Sequence, residues 1–160
     1  TAEQGLGHSL SDAIAMMLET GSASLEELLD ARLVLEVPLA GRAAHRADSE
    51  LVEGLRSAVR RAEASGGDPA AMAAADAEVH RAVAAAAGNR MLEALTGWIF
   101  EVLQPSLSDR LDGAIVHSAV VEQHDALLAA VEKGDPPRAE RAMKDHLLYL
   151  RDVLRMVDGS

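Results

Sequence analysis

An alanine-rich segment from Pro69 to Ala87 constrains the possible fold of this chain more than any other part of its sequence. It has no glycine or proline in its interior, and alanine is the strongest helix former, so the sequence predicts a helix here. Asp76 and His80 are four residues apart, about one helical turn, and therefore project from the same face. Because apolar residues flank that face, we expect a carboxylate and an imidazole to point toward the core, where charged groups need a partner such as a metal ion.

The other segments also predict helices, because alanine and leucine dominate and runs of β-branched residues are missing. The short connections between them predict an all-α fold, an antiparallel bundle of six to seven helices, in one domain covering residues 1–160. The other predicted helices are Ser9 to Glu19, Ser24 to Arg46, Ser49 to Ala64, Arg90 to Leu103, Asp112 to Lys133 and Pro136 to Val157.

Two prolines affect the predicted helices, one inside the second helix and one just after the fifth. Pro38 is expected to kink or interrupt the second helix, because proline removes a backbone donor and crowds the preceding turn. Pro105 is expected to end the fifth helix for the same reason. The sequence thus predicts a Pro-kinked second helix and a short fifth helix.

The composition excludes several classes of function. The formal net charge is −11, which disfavours binding of this chain to nucleic acids or anionic membranes. Only Trp98, Phe100 and Tyr149 are aromatic, so stacking platforms for bases are not expected. No segment is apolar enough to cross a bilayer and no secretory signal is visible, while the absence of cysteine fits a cytoplasmic protein.

Two further histidines lie in apolar stripes. His124 has Val120, Val121, Leu127 and Leu128 three and four residues away, and His146 has similar neighbours on the last helix. Three helices therefore aim side chains at a common interior, and their three nitrogens and one oxygen suit zinc, nickel or another first-row divalent ion. The candidate ligands are Asp76, His80, His124 and His146.

Other interpretations of these residues stay open. A single histidine on an apolar face is usually a core residue with one hydrogen bond, so each of the three can be structural. His117 shares the face of His124 and can replace one ligand or support one, whereas His8 and His45 have polar neighbours and are expected at the surface. Arg32 and Glu36 are expected to form a surface or interhelix ion pair with i,i+4 spacing. Alternatively, Arg32 points inward and binds a carboxylate through two hydrogen bonds.

Three stretches resemble the successive signatures of the FCD domain, the effector-sensing C-terminal domain of FadR-subfamily GntR-type bacterial transcription regulators. They are LLDARLVLEVPLAGRAAHRA, DAEVHRAVAAAAGNRML and QHDALLAAVEKGDPPRAERAMKDHL, and they occur in the order and spacing of that family. The resemblance implies a helical bundle that forms a homodimer. One departure is Val79, where the family often has phenylalanine.

The resemblance to the metal-binding branch of this family also implies a site. Its metal ligands correspond to Asp76, His80, His124 and His146, and its effectors are small organic acids such as hydroxycarboxylates, dicarboxylates and sugar acids. Arg32 and Asn89 are implied as effector contacts. The resemblance also implies a winged helix-turn-helix domain before the sensor, which this sequence does not show, so we expect either an excised sensor domain or an unusual regulator. The acidic charge agrees with an excised sensor domain, which would reach DNA only through that absent domain.

Three functions are weighed on this basis. The first is a sensor domain without catalytic activity, in which an organic acid binds at the metal and changes the pose of attached DNA-binding domains. The second is a metal-dependent hydrolase of the helical HD type, suggested by the adjacent pair His124 and Asp125, although Asp125 is predicted to point away from the site. The third is a helical interaction module that binds no ligand.

Overall fold

The computed structural model describes residues 2–46, 48–111 and 113–159, with side chains described from Leu10 onward. Within these ranges all regular structure is helical, which confirms the all-α prediction. The seven helices are α1 (Ala2–Glu19), α2 (Leu25–Arg46), α3 (Ser49–Ala64), α4 (Pro69–Ala86), α5 (Arg90–Arg110), α6 (His117–Glu132) and α7 (Pro136–Asp158).

The helices begin where short polar side chains satisfy the first free backbone amides. Ser24 and Glu27 form the predicted capping box before α2: the Glu27 amide donates to the Ser24 hydroxyl at 3.1 Å, and the Ser24 amide donates to the Glu27 carboxylate at 2.8 Å. Asp68 accepts from the Ala71 amide and precedes Pro69, the first residue of α4. The start of the ligand-bearing helix α4 is therefore fixed by local sequence.

The prediction that Pro105 ends the fifth helix was wrong. Helix α5 continues through Pro105 to Arg110, so the backbone bond lost at the proline is tolerated there. Leu103 and Leu107, on either side of the proline, are buried in one hydrophobic cluster with Leu29 and Leu154. Burial of these leucines on both sides outweighs the local cost of the proline.

Other boundaries also differ from the predictions. Helix α2 runs without interruption through Pro38. Helix α6 begins at His117, later than the predicted start at Asp112, because Gly113 adopts a positive φ of 72° in a turn before it. Asp112 itself lies outside the described residues. The Tyr149 hydroxyl accepts from the Val116 amide at 2.9 Å and so holds the start of α6 against α7. Helix α1 begins at Ala2, earlier than predicted.

The main core lies between α2, α3, α4, α6 and α7. Helix α4 packs against α2, α3 and α5, while α7 packs against α2 and α6. Val79 is fully buried in this core, and it lies directly before His80. The packing turns one face of α4, α6 and α7 toward a shared interior. Among the described residues, no helix has the length and apolar character that crossing a membrane requires.

Candidate metal centre and its cavity

The four predicted ligands meet in one place. Their donor atoms lie within 4.8 Å of one another, although they come from three helices. The Oδ1 atom of Asp76 lies 2.9 Å from Nε2 of His124, 3.1 Å from Nε2 of His146 and 3.5 Å from Nε2 of His80. Ligand atoms about 2.1 Å from an ion stand roughly 3–4 Å apart, so this group can hold a divalent metal.

Hydrogen bonds from Nδ1 orient two imidazoles so that their Nε2 atoms face the candidate metal position. The Nδ1 atom of His146 donates to Oε1 of Gln123 at 2.7 Å, and Nδ1 of His80 donates to the Glu36 carboxylate. A neutral imidazole that donates from Nδ1 carries a lone pair on Nε2. The two Nε2 atoms of His80 and His146 are 3.1 Å apart, so a proton or a metal ion must lie between their lone pairs. Metal-binding histidines are usually oriented by such outer partners.

The side of the cluster facing α2 and α5 is closed by charged and aromatic groups. We call Arg32, Glu36 and Phe100 the charged side. Arg32 donates from Nε to Oε1 of Glu36 at 2.6 Å, and its guanidinium lies 4.3 Å from the centre of the Phe100 ring. Arg32 is 0% exposed and Glu36 is 2% exposed, so this ion pair is sealed from water. A terminal nitrogen of Arg32 also lies 3.3 Å from both ring nitrogens of His80.

This crowding of charges shifts the acid–base properties of the metal-free cluster. Burial disfavours the charged form of His80, but the carboxylates of Glu36 and Asp76 outweigh it and raise the pKa of His80 to about 9. Burial lowers the pKa of His146 to about 4, against the pull of Asp76. Burial also opposes ionisation of Glu36, yet Arg32 and His80 lower its pKa to about 2. The carboxylate of Asp76 is held ionised in the same way by His80 and His146, which keep its pKa well below the usual range.

The opposite side of the cluster opens into a cavity of about 310 Å³. The cavity reaches Asp76 and His124 at its inner end, and it is bounded by the end of α3, the start of α4, the end of α5 and the start of α6. Most of its lining is apolar, as shown by Met72, Leu107, Leu111, Ile115, Val120, Val121 and Leu150. Asp76 is accordingly the most exposed of the four ligands, with 15% of its side chain accessible, while His80 is sealed.

The other residues singled out from the sequence lie elsewhere. Asn89 caps α5, where its side-chain oxygen accepts from the amides of Met91 and Leu92 at 3.1 Å. Neither Asn89 nor Arg32 is among the cavity-lining residues. His117 does line the cavity, but its Nε2 donates to the Ala62 carbonyl at 3.2 Å and it is not part of the metal-binding group.

The structure confirms the prediction that two of these polar residues are exposed. His45 is exposed, as its polar neighbours indicated, and Asp125 is exposed, in agreement with its predicted position outside the site. The side chain of His8 lies outside the described residues. The sequence reasoning missed Gln123 and Phe100 as parts of the site. Gln123 directly precedes His124, but its partner His146 is on another helix, so nothing local in the sequence signals the contact.

Comparison with known proteins agrees with this fold. The family model described as the FCD domain matches residues 27–149. In the solved structure titled "Streptococcus agalactiae GntR", the similar region covers 79% of this chain and 57% of the other, with a TM-score of 0.68 and 25% identity.

Curated relatives point the same way. The "Putative L-lactate dehydrogenase operon regulatory protein" of Escherichia coli K12 is 29% identical over 136 residues, which are 82% of this chain and 52% of the relative. The "HTH-type transcriptional repressor NanR" of Cronobacter sakazakii is 33% identical over 132 residues, which are 79% of this chain and 48% of the relative. The chain spans about half the length of these relatives. Because the family model covers well over half of its residues, the chain belongs to the FCD domain family.

Proposed function

We propose that this chain is the effector-sensing and dimerising part of a transcription regulator. In this proposal Asp76, His80, His124 and His146 hold a divalent ion, zinc, nickel or another first-row metal, and a small organic acid binds to that ion. The observation that carries the proposal is the orientation of the cluster: Glu36 and Gln123 turn ring nitrogens of His80 and His146 inward, beside a cavity that ends at Asp76.

The bound acid would act on the helices that carry the ligands. A ligand spanning the metal and the cavity touches α4, α5 and α6 together, and it would favour one relative arrangement of these helices over another. A DNA-binding domain attached to this chain, of the kind that the name "HTH-type transcriptional repressor" indicates for NanR, would be repositioned by that change. The net charge of −11 agrees with DNA contacts being made outside this domain.

The described residues give no support to the hydrolase alternative. Asp125, the residue that would complete an HD-type metal pair, is exposed and does not belong to the group of four side chains that could hold a metal. No lysine or arginine is found among the described residues that line the cavity, although a phosphate substrate would need one. Similarity to regulators favours sensing over catalysis for the same chain.

Metal analysis of the purified protein before and after chelation tests the site. We expect roughly one ion per chain, lost in His124→Ala because this variant removes one ligand. His45→Ala is the matched control, since His45 is an exposed histidine on α2 and the same substitution should leave the metal content unchanged. Full metal retention in His124→Ala would contradict the ligand assignment.

A thermal-shift screen of small organic acids tests sensing. An acid that binds at the ion should raise Tm in metal-loaded wild-type protein and in His45→Ala, but not after chelation or in His124→Ala. Stabilisation of equal size in the chelated protein would place the binding site away from the metal and reject the proposal. Absence of stabilisation by every acid tested in metal-loaded protein would also reject it.

A further inference from the structure

The polar groups that line the cavity are already engaged. Apart from Asp76 and His124, the lining includes three polar side chains among the described residues, and each donates to a nearby backbone carbonyl. Ser65 and His117 both donate to the Ala62 carbonyl, at 2.6 and 3.2 Å, and Ser108 donates to the Pro105 carbonyl at 3.1 Å. A hydroxyl or carboxylate placed in the body of the cavity would therefore compete for donors that already have partners.

The net positive charge of the metal-loaded site can be neutralised by a single negative charge on the ligand. Arg32 and Glu36 cancel one another, and neutral imidazoles add nothing, so a divalent ion beside Asp76 leaves a net charge of about +1. One carboxylate neutralises that charge. A second carboxylate would lie against leucine, isoleucine and valine side chains with no lysine or arginine among the described lining residues. Burying an unpaired charge in such surroundings is strongly unfavourable.

From this lining we infer that the effector is a small monocarboxylate with an apolar body, either a short aliphatic chain or a single aromatic ring. The inference rests on the proposed function, because the carboxylate is taken to bind the ion beside Asp76 and His124. The apolar body then packs against Met72, Leu107 and Ile115. The volume of about 310 Å³ lies at the lower end of the range for ligand pockets, which limits the acid to a small one.

The experiment compares acids that differ only by exchange of a methyl group for a second carboxylate. Hexanoate is paired with adipate and 4-methylbenzoate with terephthalate, with gluconate as a polyhydroxy acid. Binding to metal-loaded protein is measured by calorimetry and by the rise in Tm. We expect at least one monocarboxylate to bind about tenfold or more tighter than its paired diacid, since the second carboxylate would be left without donors.

A charge placed in the cavity should reverse this preference. Ile115→Lys adds a cation to the half-buried lining, so the paired diacid should gain affinity while the monocarboxylate does not. Val34→Lys is the matched control, because Val34 is 79% exposed on α2 and is not a lining residue. If Ile115→Lys does not fold, Met72→Lys places the same charge on the lining from α4. The comparison of acids on wild-type protein needs neither variant.

The outcomes separate this inference from the proposed function. If adipate, terephthalate or gluconate binds as tightly as the monocarboxylates, and only in the presence of metal, the inference is wrong and the proposed function stands. If the protein takes up no metal, or no acid binds the loaded form, both are wrong. Preference for a monocarboxylate in wild type, lost in the lysine variant but kept in Val34→Lys, supports both.

Discussion

The two sides of the metal cluster differ in almost every physical property. On the charged side, Arg32 and Glu36 form an ion pair from which water is excluded, and Phe100 covers the guanidinium. On the other side, the cavity is lined mainly by aliphatic side chains, and no lysine or arginine occurs among its described lining residues. His80 faces the first side, whereas Asp76 and His124 face the second.

The two sides therefore suit two different tasks: the charged side orients a metal ligand, and the cavity side can receive an effector. A buried ion pair with several hydrogen bonds has one geometry, and so it fixes His80 before any ion binds. An apolar cavity makes few directional demands, and its contribution to binding comes from the surface it removes from water. The same four residues can therefore present a rigid donor set on one side and an open position on the other.

Breaking the charged side should have the largest effect on stability. Arg32→Met leaves the Glu36 carboxylate buried with only His80 as a partner, and removing one member of a buried pair typically costs about 3–5 kcal/mol. We expect this loss in the free energy of unfolding, measured by urea titration in the presence of a chelator so that metal binding does not contribute.

Arg61→Met is the control for that experiment. Arg61 pairs with Glu78 at 2.8 Å, but the two side chains are 57% and 46% exposed, so solvent screens the interaction. This variant should unfold at nearly the wild-type urea concentration. Equal midpoints for Arg32→Met and Arg61→Met would show that the sealed pair does not constrain the fold.

Removing the hydrogen bond that orients the His146 ring should weaken metal binding, with a smaller energetic effect than the loss of Arg32. Gln123→Leu removes the acceptor for Nδ1 of His146, and loss of such an outer partner typically lowers metal affinity about 10–100-fold. Gln123→Glu keeps an acceptor oxygen at the same position and should bind metal far better than Gln123→Leu. Competition titration against a chelating dye measures both, and identical affinities in the two variants would remove Gln123 from the site.

Changing a polar residue of the cavity wall should have the smallest effect. His117→Leu removes one half-buried hydrogen bond to the Ala62 carbonyl, worth about 0.5–1.5 kcal/mol in the free energy of unfolding. Because His117 lies outside the metal-binding group, the metal content should equal that of wild type. Loss of the ion in this variant, comparable with that in His124→Ala, would restore His117 as a candidate ligand.

Much of the fold follows from local signals in the sequence. The start of α4 at Pro69, the start of α3 at Ser49 and the start of α7 at Pro136 all follow a capping aspartate, which acts within one turn. The end of α5 did not follow from local signals, because burial of Leu103 and Leu107 outweighed the proline between them. The start of α6 depends on the turn at Gly113 and the contact of Tyr149 with the Val116 amide.

The sequence by itself selected the four candidate ligands, because helical periodicity tells which residues share a face with apolar neighbours. Only the tertiary structure decided that Glu36 and Gln123 orient the imidazoles, that Arg32 is enclosed in an ion pair, and that the cavity is apolar. The physical reason is range: caps and periodicity act within a few residues, whereas these contacts join helices distant in the sequence and form only when the core packs.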